Sequence, residues 1–188
     1  MSRESTRRER YDNKKRTAET YPISLCCVNF KHDGNLGFLI RAAACFGAQH
    51  VHVIGSIPSR KLLNSLSGSL YDYIEIKQYA NPSDFLDYTK DHNVQLVSAE
   101  IHESSEPLAS YAFGFYRDTC LVVGNEEIGV PAEILAHSDI VHIPMPGVGV
   151  CLNTSQTANI MLYEASRQYA RHQKYHQEWG EWDSYHLP

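Results

Sequence analysis

The sequence predicts an α/β domain with a mainly parallel sheet and helices on both faces. Three observations carry that expectation. Strand-like and helix-like segments alternate along the chain. Three of the strand-like segments run into loops that join glycine to an amide or a carboxylate. The 188 residues, 43% of them hydrophobic, suffice for one substantial core and argue for a single domain.

Taken in order, ISLCCVNF (23–30) reads as a buried strand. NLGFLIRAAACFG (35–47) follows as a helix, with Leu36, Leu39, Ile40 and Ala43 at helical spacing and a terminating glycine. HVHVIG is a second strand, and YDYIEIKQY (71–79) alternates like a third. PSDFLDYTKDHN (82–93) is a short helix with Pro82 near its start, and VQLVSAEI (94–101) is a fourth strand. TCLVVG (119–124) is the fifth, PAEILAHS (131–138) a short helix, and DIVHIPM (139–145) the sixth. A long helix from about Asn153 to about Glu178 closes the chain. No internal repeat or low-complexity segment interrupts this order.

Charge divides the chain unevenly. Residues 1–16 hold seven Lys or Arg against three acids, and the remainder holds ten against nineteen. A basic, apolar-poor stretch over residues 1–20 reads as an arm that stays mobile unless a polyanion or the body holds it, because it has too little apolar surface to offset the entropy of ordering. Arg7, Arg8, Arg10, Lys14, Lys15 and Arg16 make it a candidate phosphate hook for RNA, and a solvated tail is the alternative reading. Residues 21–178 then form the globular domain. Residues 179–188, within EWGEWDSYHLP, form a tail whose Trp179, Trp182 and Tyr185 either pack on the body or stack on unpaired bases. No apolar run is long enough for a signal peptide or a membrane span, so a soluble, cytoplasmic protein is expected. Five cysteines without a C-x-x-C pair point to reduced thiols, and neither a disulfide frame nor a metal is expected.

Other schemes are weaker. His172 and His176 lie a helical turn apart, but HQKYH lacks the glutamate of a zinc protease helix. His50 and His52 share one side of a strand and are assigned no chemistry. Cys151 follows a glycine loop, with no partner base apparent for a thiol nucleophile.

Ligands of open α/β sheets gather at the carboxyl ends of strands. Here the first strand runs into KHDGNLGFLIR, the fifth into GNEEIG and the sixth into PMPGVGVCLNTS, so three glycine-bearing loops meet one sheet edge. The set N-x-G-x-x-x-R (Asn35, Gly37, Arg41), then LVVGNEEIGVP, then IPMPG, CLNTS and LYE, resembles the three motifs of the SpoU/TrmH family of SPOUT RNA 2′-O-methyltransferases. The likeness covers residues 23 to about 170 in order. It departs where Cys151 and Thr154 stand in a motif that usually reads Ser-Leu-Asn-Val-Ser, and where Gln156-Thr157 replaces x-Ala.

The resemblance implies a C-terminal trefoil knot and a pocket for S-adenosylmethionine. Ser98, Ala99, Gly124, Ile143, Met145, Cys151 and Leu152 would line that pocket. It implies an in-line attack of a ribose 2′-oxygen on a sulfonium methyl group, favoured by alignment in a water-poor site. Arg41 would act as phosphate clamp and stabiliser of developing negative charge, with general-base action as the weaker option because guanidinium hardly deprotonates. Asn35 and Asn153 would orient Arg41 or the substrate, and Glu126 would pair with Arg41 or brace its loop. Capping of the last helix is a second duty open to Asn153 and Ser155.

Alternation in that helix leaves apolar residues on more than one side, so a homodimer through it is expected, as in the family. Lacking a large N-terminal RNA-binding domain in the sequence, the chain is expected to prefer tRNA to rRNA. A catalytically silent RNA-binding relative and a nucleotide- or NAD-using enzyme are the competing classes.

Overall fold

In a computed structural model, which describes residues 6–173, the sheet is seven-stranded and every strand pair is parallel. The strands are β1 (Ile23–Val28), β2 (His50–Ile54), β3 (Glu75–Tyr79), β4 (Gln95–Ala99), β5 (Glu106–Pro107), β6 (Thr119–Val123) and β7 (Ser138–His142). Their spatial order is β3-β2-β1-β6-β4-β7-β5. The described helices are α1 (Arg7–Lys15), α2 (Asp33–Cys45), α3 (Arg60–Leu66), α4 (Pro82–Asp91), α5 (Ala132–Leu135) and α6 (Thr154–His172).

β1 and β6 read as continuous apolar runs because both of their faces are covered. Ile23, Leu25, Cys27, Leu121 and Val123 join α2 and α6 in one core, which includes Leu36, Leu39, Ile40, Met161 and Leu162. Cys26, Val28, Cys120 and Val122 face the opposite way, onto Phe85 of α4 and Ile134 of α5. The period-two alternation of each strand thus splits one apolar segment between two cores. The chain leaves β1 through α2 toward β2, and leaves β6 through α5 toward β7. Adjacent strands whose connections depart in opposite directions open a crevice at their carboxyl ends.

Several sequence expectations are corrected. Residues 7–15, within the arm expected to stay mobile unless held, form a helix that the body holds. Thr6 and Glu9 form a reciprocal cap, the Tyr11 hydroxyl donates to the Gly68 carbonyl at 3.2 Å, and the Tyr73 hydroxyl donates to Asp12 at 2.6 Å. Two tyrosine contacts supply what the composition lacks. The expected third strand starts only at Glu75, since Tyr71–Tyr73 forms a 3-10 turn beneath α1. α3 and the two-residue β5 were not expected. α3 packs on α2 at Gly37, where any side chain would strike Leu66. The closing helix is seen to His172, and the remainder of its expected span, with His176 and the aromatic tail, lies outside the described residues.

His52 is buried between Tyr79, Phe85 and Tyr88, with Nδ1 3.0 Å from the Tyr79 hydroxyl. Burial pushes its pKa down to about 3, so it serves as a neutral core residue. Among the described residues no helix is long and apolar enough to cross a membrane.

Candidate functional site

The crevice between β1 and β6 is where side chains from three loops join. After β1 the chain turns at Asn29, held at φ +45°, and enters α2 at Asp33. His32, the residue before α2, gives no side-chain cap. The cap comes from elsewhere: the Glu126 carboxylate accepts the Lys31 N–H at 2.9 Å and the His32 N–H at 3.3 Å. A carboxylate at these amides lies where the helix dipole favours negative charge.

Glu126 also accepts from the Asn35 amide at 2.6 Å, and Asn35 Oδ1 accepts from Asn153 Nδ2 at 3.0 Å. Asn153 in turn caps α6. Its Oδ1 accepts the N–H groups of Ser155 (2.9 Å) and Gln156 (3.4 Å) and the Ser155 hydroxyl (2.6 Å). Asn153 thus takes the capping duty open to it while its Nδ2 is spent on Asn35, and Ser155, buried behind it, contributes a donor to the cap. Burial would raise the Glu126 carboxyl, but the N–H groups of Lys31, of Glu126 itself and of His32, with the Asn35 amide, outweigh it and hold it below the ordinary carboxylate value. Glu126 braces the loop. Among the described residues no bond joins it to Arg41, so the pairing considered from sequence is not observed.

Beside this chain of bonds lies a cavity of about 560 Å³ lined by Asn35, Phe38, Arg41, Ala42, Cys45, Phe46, Asn153, Ser155, Gln156 and Asn159. Arg41 is exposed and makes no hydrogen bond or ion pair among the described residues. A side chain built at Gly68 would come within 3.5 Å of its guanidinium, so Arg41 leans against the 67–70 turn. α1 touches that same turn through Tyr11. Arg7, Arg8, Arg10, Lys14, Lys15 and Arg16 are all exposed there; Arg8 lies 4.0 Å from Asp12 and Lys15 sits over the Tyr73 ring. Asn35 and Asn153 bond to each other rather than to Arg41.

Of the expected donor-pocket residues, Ser98 and Ala99 end β4, Gly124 follows β6 and Ile143 follows β7, while Met145, Cys151 and Leu152 lie on the loop that leads to α6. Ala99 pairs in register with Val123 and with Val141, and Gly124 follows Val123. Gly124 must be glycine, because any side chain there would strike the backbone of Gly129 and Val130. The Ser98 hydroxyl donates to Ser138 at 2.8 Å across the sheet, which leaves its main chain at the end of β4 as the part that can face a ligand. Ile143 and Met145 are half-buried, and Cys151 and Leu152 are exposed. The loop between them is open, with Val148 and Val150 projecting into solvent and nothing within 4 Å of a side chain built at Gly147 or Gly149.

Two residues to which the sequence assigned no role also shape the site. Asn125 and Glu100 hold the turn that carries Glu126. The Gly-Asn-Glu step was a signal for the first, since Asn stabilises turns through its own side chain.

The profile of the SpoU rRNA Methylase family matches residues 22–163. A tRNA (guanosine(18)-2'-O)-methyltransferase of Escherichia coli strain K12 is 26% identical over 147 residues, covering 78% of this chain and 63% of that protein. A 23S rRNA (uridine(2479)-2'-O)-methyltransferase of Streptomyces viridochromogenes is 30% identical over 144 residues, 72% of this chain and 49% of the relative. The chain thus spans less than two thirds of the length of either. The crystal structure of the SpoU methyltransferase AviRb from Streptomyces viridochromogenes in complex with AdoMet superposes with a TM-score of 0.68 at 27% identity, over 81% of this chain and 59% of that one.

Proposed function

This chain belongs to the SpoU rRNA Methylase family, and we propose that it transfers a methyl group from S-adenosylmethionine to a ribose 2′-hydroxyl of RNA, with tRNA as the preferred substrate over rRNA. The observation that carries the reading is the bonded series Glu126–Asn35–Asn153, which ties three strand-end loops together beside a cavity open to Arg41.

The residues present fit the methyl donor. Half-buried Ile143 and Met145, exposed Leu152 and the open ground around Gly147 and Gly149 offer apolar walls and bare backbone at the ends of β4, β6 and β7. Ala99, Gly124 and Cys151 would add main-chain contacts, and Ser98 would support the strand from behind. S-adenosylmethionine, when bound, supplies an electrophilic methyl group. Everything else falls to this chain's side chains. Arg41 holds a substrate phosphate and stabilises the negative charge that grows on the attacking oxygen; as the oxygen–methyl bond forms the methyl–sulfur bond would break to leave a neutral thioether, and the hydroxyl proton would pass to that phosphate or to water. Asn35 and Asn153 fix the floor of the cavity against which the ribose is aligned. Glu126, engaged by its donors, keeps those amides in place and takes no proton itself.

Arg7, Arg8, Arg10, Lys14, Lys15 and Arg16 reach RNA phosphates from α1, which neighbours Arg41 through the 67–70 turn. A second copy of the chain pairs through α6, where Ile160 and Tyr163 are exposed and Tyr163 meets Phe46 edge-on, with Phe38 of α2 also 50% exposed. Threading of the segment 143–173 as a trefoil knot accords with α6 packing on α2 as well as on β1 and β6. The site of action is the cytoplasm.

The test is transfer of labelled methyl from the donor to total tRNA and total rRNA, followed by nucleoside mapping. A 2′-O-methylated nucleoside from tRNA is expected. Label on a base, or none on either RNA while the donor binds, overturns the reading; label on rRNA alone overturns the substrate preference.

A further inference from the structure

We infer that Glu100 and Asn125 are positioning residues for the methyl transfer proposed above: together they clamp the turn over residues 124–130 so that Glu126 meets Asn35. The inference rests on that functional reading for its consequence, and on the geometry of the turn for its substance. Glu100 follows β4 directly and is half-buried. Each of its oxygens is engaged: Oε1 accepts the N–H of Ile101 at 3.1 Å, and Oε2 accepts the N–H of Val130 at 3.0 Å. A side chain at Gly129 would collide with that same Oε2, so the carboxylate lies against the closing residue of the turn, which is held at φ +69°.

Asn125 holds the opposite end. Its backbone exchanges two 3.0 Å hydrogen bonds with Gly129. Its side-chain oxygen accepts the N–H groups of Glu127 (2.9 Å) and Ile128 (3.3 Å), and its amide donates to the Asn29 carbonyl beyond β1. The turn is therefore pinned to the exit of β1 by Asn125 and to the exit of β4 by Glu100. Glu126 sits between the pins. A shift of the turn by about 1 Å would break the 2.6 Å bond to Asn35 and reach Asn153, the cap of α6, and displacements of that size are known to cost up to about a hundredfold in rate. Neither Glu100 nor Asn125 lines the cavity, so each acts through Glu126 and not on the substrate.

The test uses Glu100→Gln, Asn125→Ala and Glu126→Gln, singly and with Glu100→Gln and Glu126→Gln combined, in the full chain. Single-turnover methyl transfer, donor affinity by calorimetry, and hydrogen exchange of the Lys31 and His32 amides are read on each. Glu100→Gln is expected to slow transfer by roughly tenfold while donor affinity stays within about threefold, and to expose both amides to faster exchange. Because the two residues act in series, the double variant is expected to be no slower than Glu126→Gln alone. Losses that multiply in the double variant, or amides whose exchange is unchanged, overturn the clamp. Should the wild-type chain transfer no methyl group to any RNA, the functional reading falls, and amide exchange alone decides whether the clamp exists.

Discussion

The two halves of the site are built in opposite ways. On the side of β1 and β6, Glu126, Asn35 and Asn153 commit nearly all their polar groups to one another and to backbone N–H groups. On the side of β7, the loop 146–152 is exposed and largely apolar, with room for a side chain at both Gly147 and Gly149. The first half is preorganised, which suits groups that must stand at fixed positions while charge develops. The second leaves its apolar surface uncovered, which suits a loop that packs against an arriving ligand. Arg41 shares the cavity with Asn35 and Asn153 and leans against the 67–70 turn, with no hydrogen bond or ion pair among the described residues.

Several measurements break or sharpen this contrast. Replacement of Arg41 by alanine should lower methyl transfer by about a hundredfold or more and leave thermal melting nearly unchanged, because the side chain is exposed and unbonded among the described residues; a large fall in melting temperature would remove it from the chemistry. Gly124→Ala should cost about 2–3 kcal/mol by forcing the turn backbone apart, whereas Gly147→Ala should stay within about 0.5 kcal/mol. Equal costs, read by denaturant unfolding, would erase the distinction between the halves.

Asn153→Asp is finer. It keeps the oxygen that caps α6 but removes the donor to Asn35, so about a tenfold drop in transfer is expected with stability within about 0.5 kcal/mol. The pH dependence separates the halves as well. The folded-state value of Glu126 is lowered, so its contribution to stability is present above its unfolded value and is lost as pH falls through its folded value. Glu126→Gln should therefore flatten the acid limb of the stability profile, and an unaltered limb would show that the brace is not under load. Smallest in effect, removal of residues 1–16 should weaken RNA binding and make its salt dependence shallower, by about one unit of slope for each phosphate that the arm neutralises. An unchanged slope would detach α1 from RNA.

Much of the fold was legible because each segment carries its own period. ISLCCVNF and TCLVVG are predominantly apolar, as strands covered on both faces tend to be, and β1 and β6 within them are buried central strands. The helix at 82–91 announced itself by Pro82, with Asn81 as cap. α1 stayed hidden because, beyond the local Thr6–Glu9 cap, it is held to the body through Tyr11 and Tyr73, partners some sixty residues apart. In the site, Asn35, Glu126 and Asn153 were legible as residue types at strand ends. Their mutual bonds were not, since separations of 91 and 118 residues leave no local trace. Glu100 had no motif to mark it.

The sequence by itself determined the alternation of elements, the parallel sheet, the three glycine-bearing loops and the family they resemble, because periodicity and turn chemistry act within a few residues. Only the tertiary structure decided that Glu126 serves Asn35 rather than Arg41, that Ser98 turns toward β7, and that a basic stretch folds back beside the arginine. Those outcomes depend on which groups meet after burial, when an unpaired polar atom is costly and the nearest available partner is set by packing rather than by order along the chain.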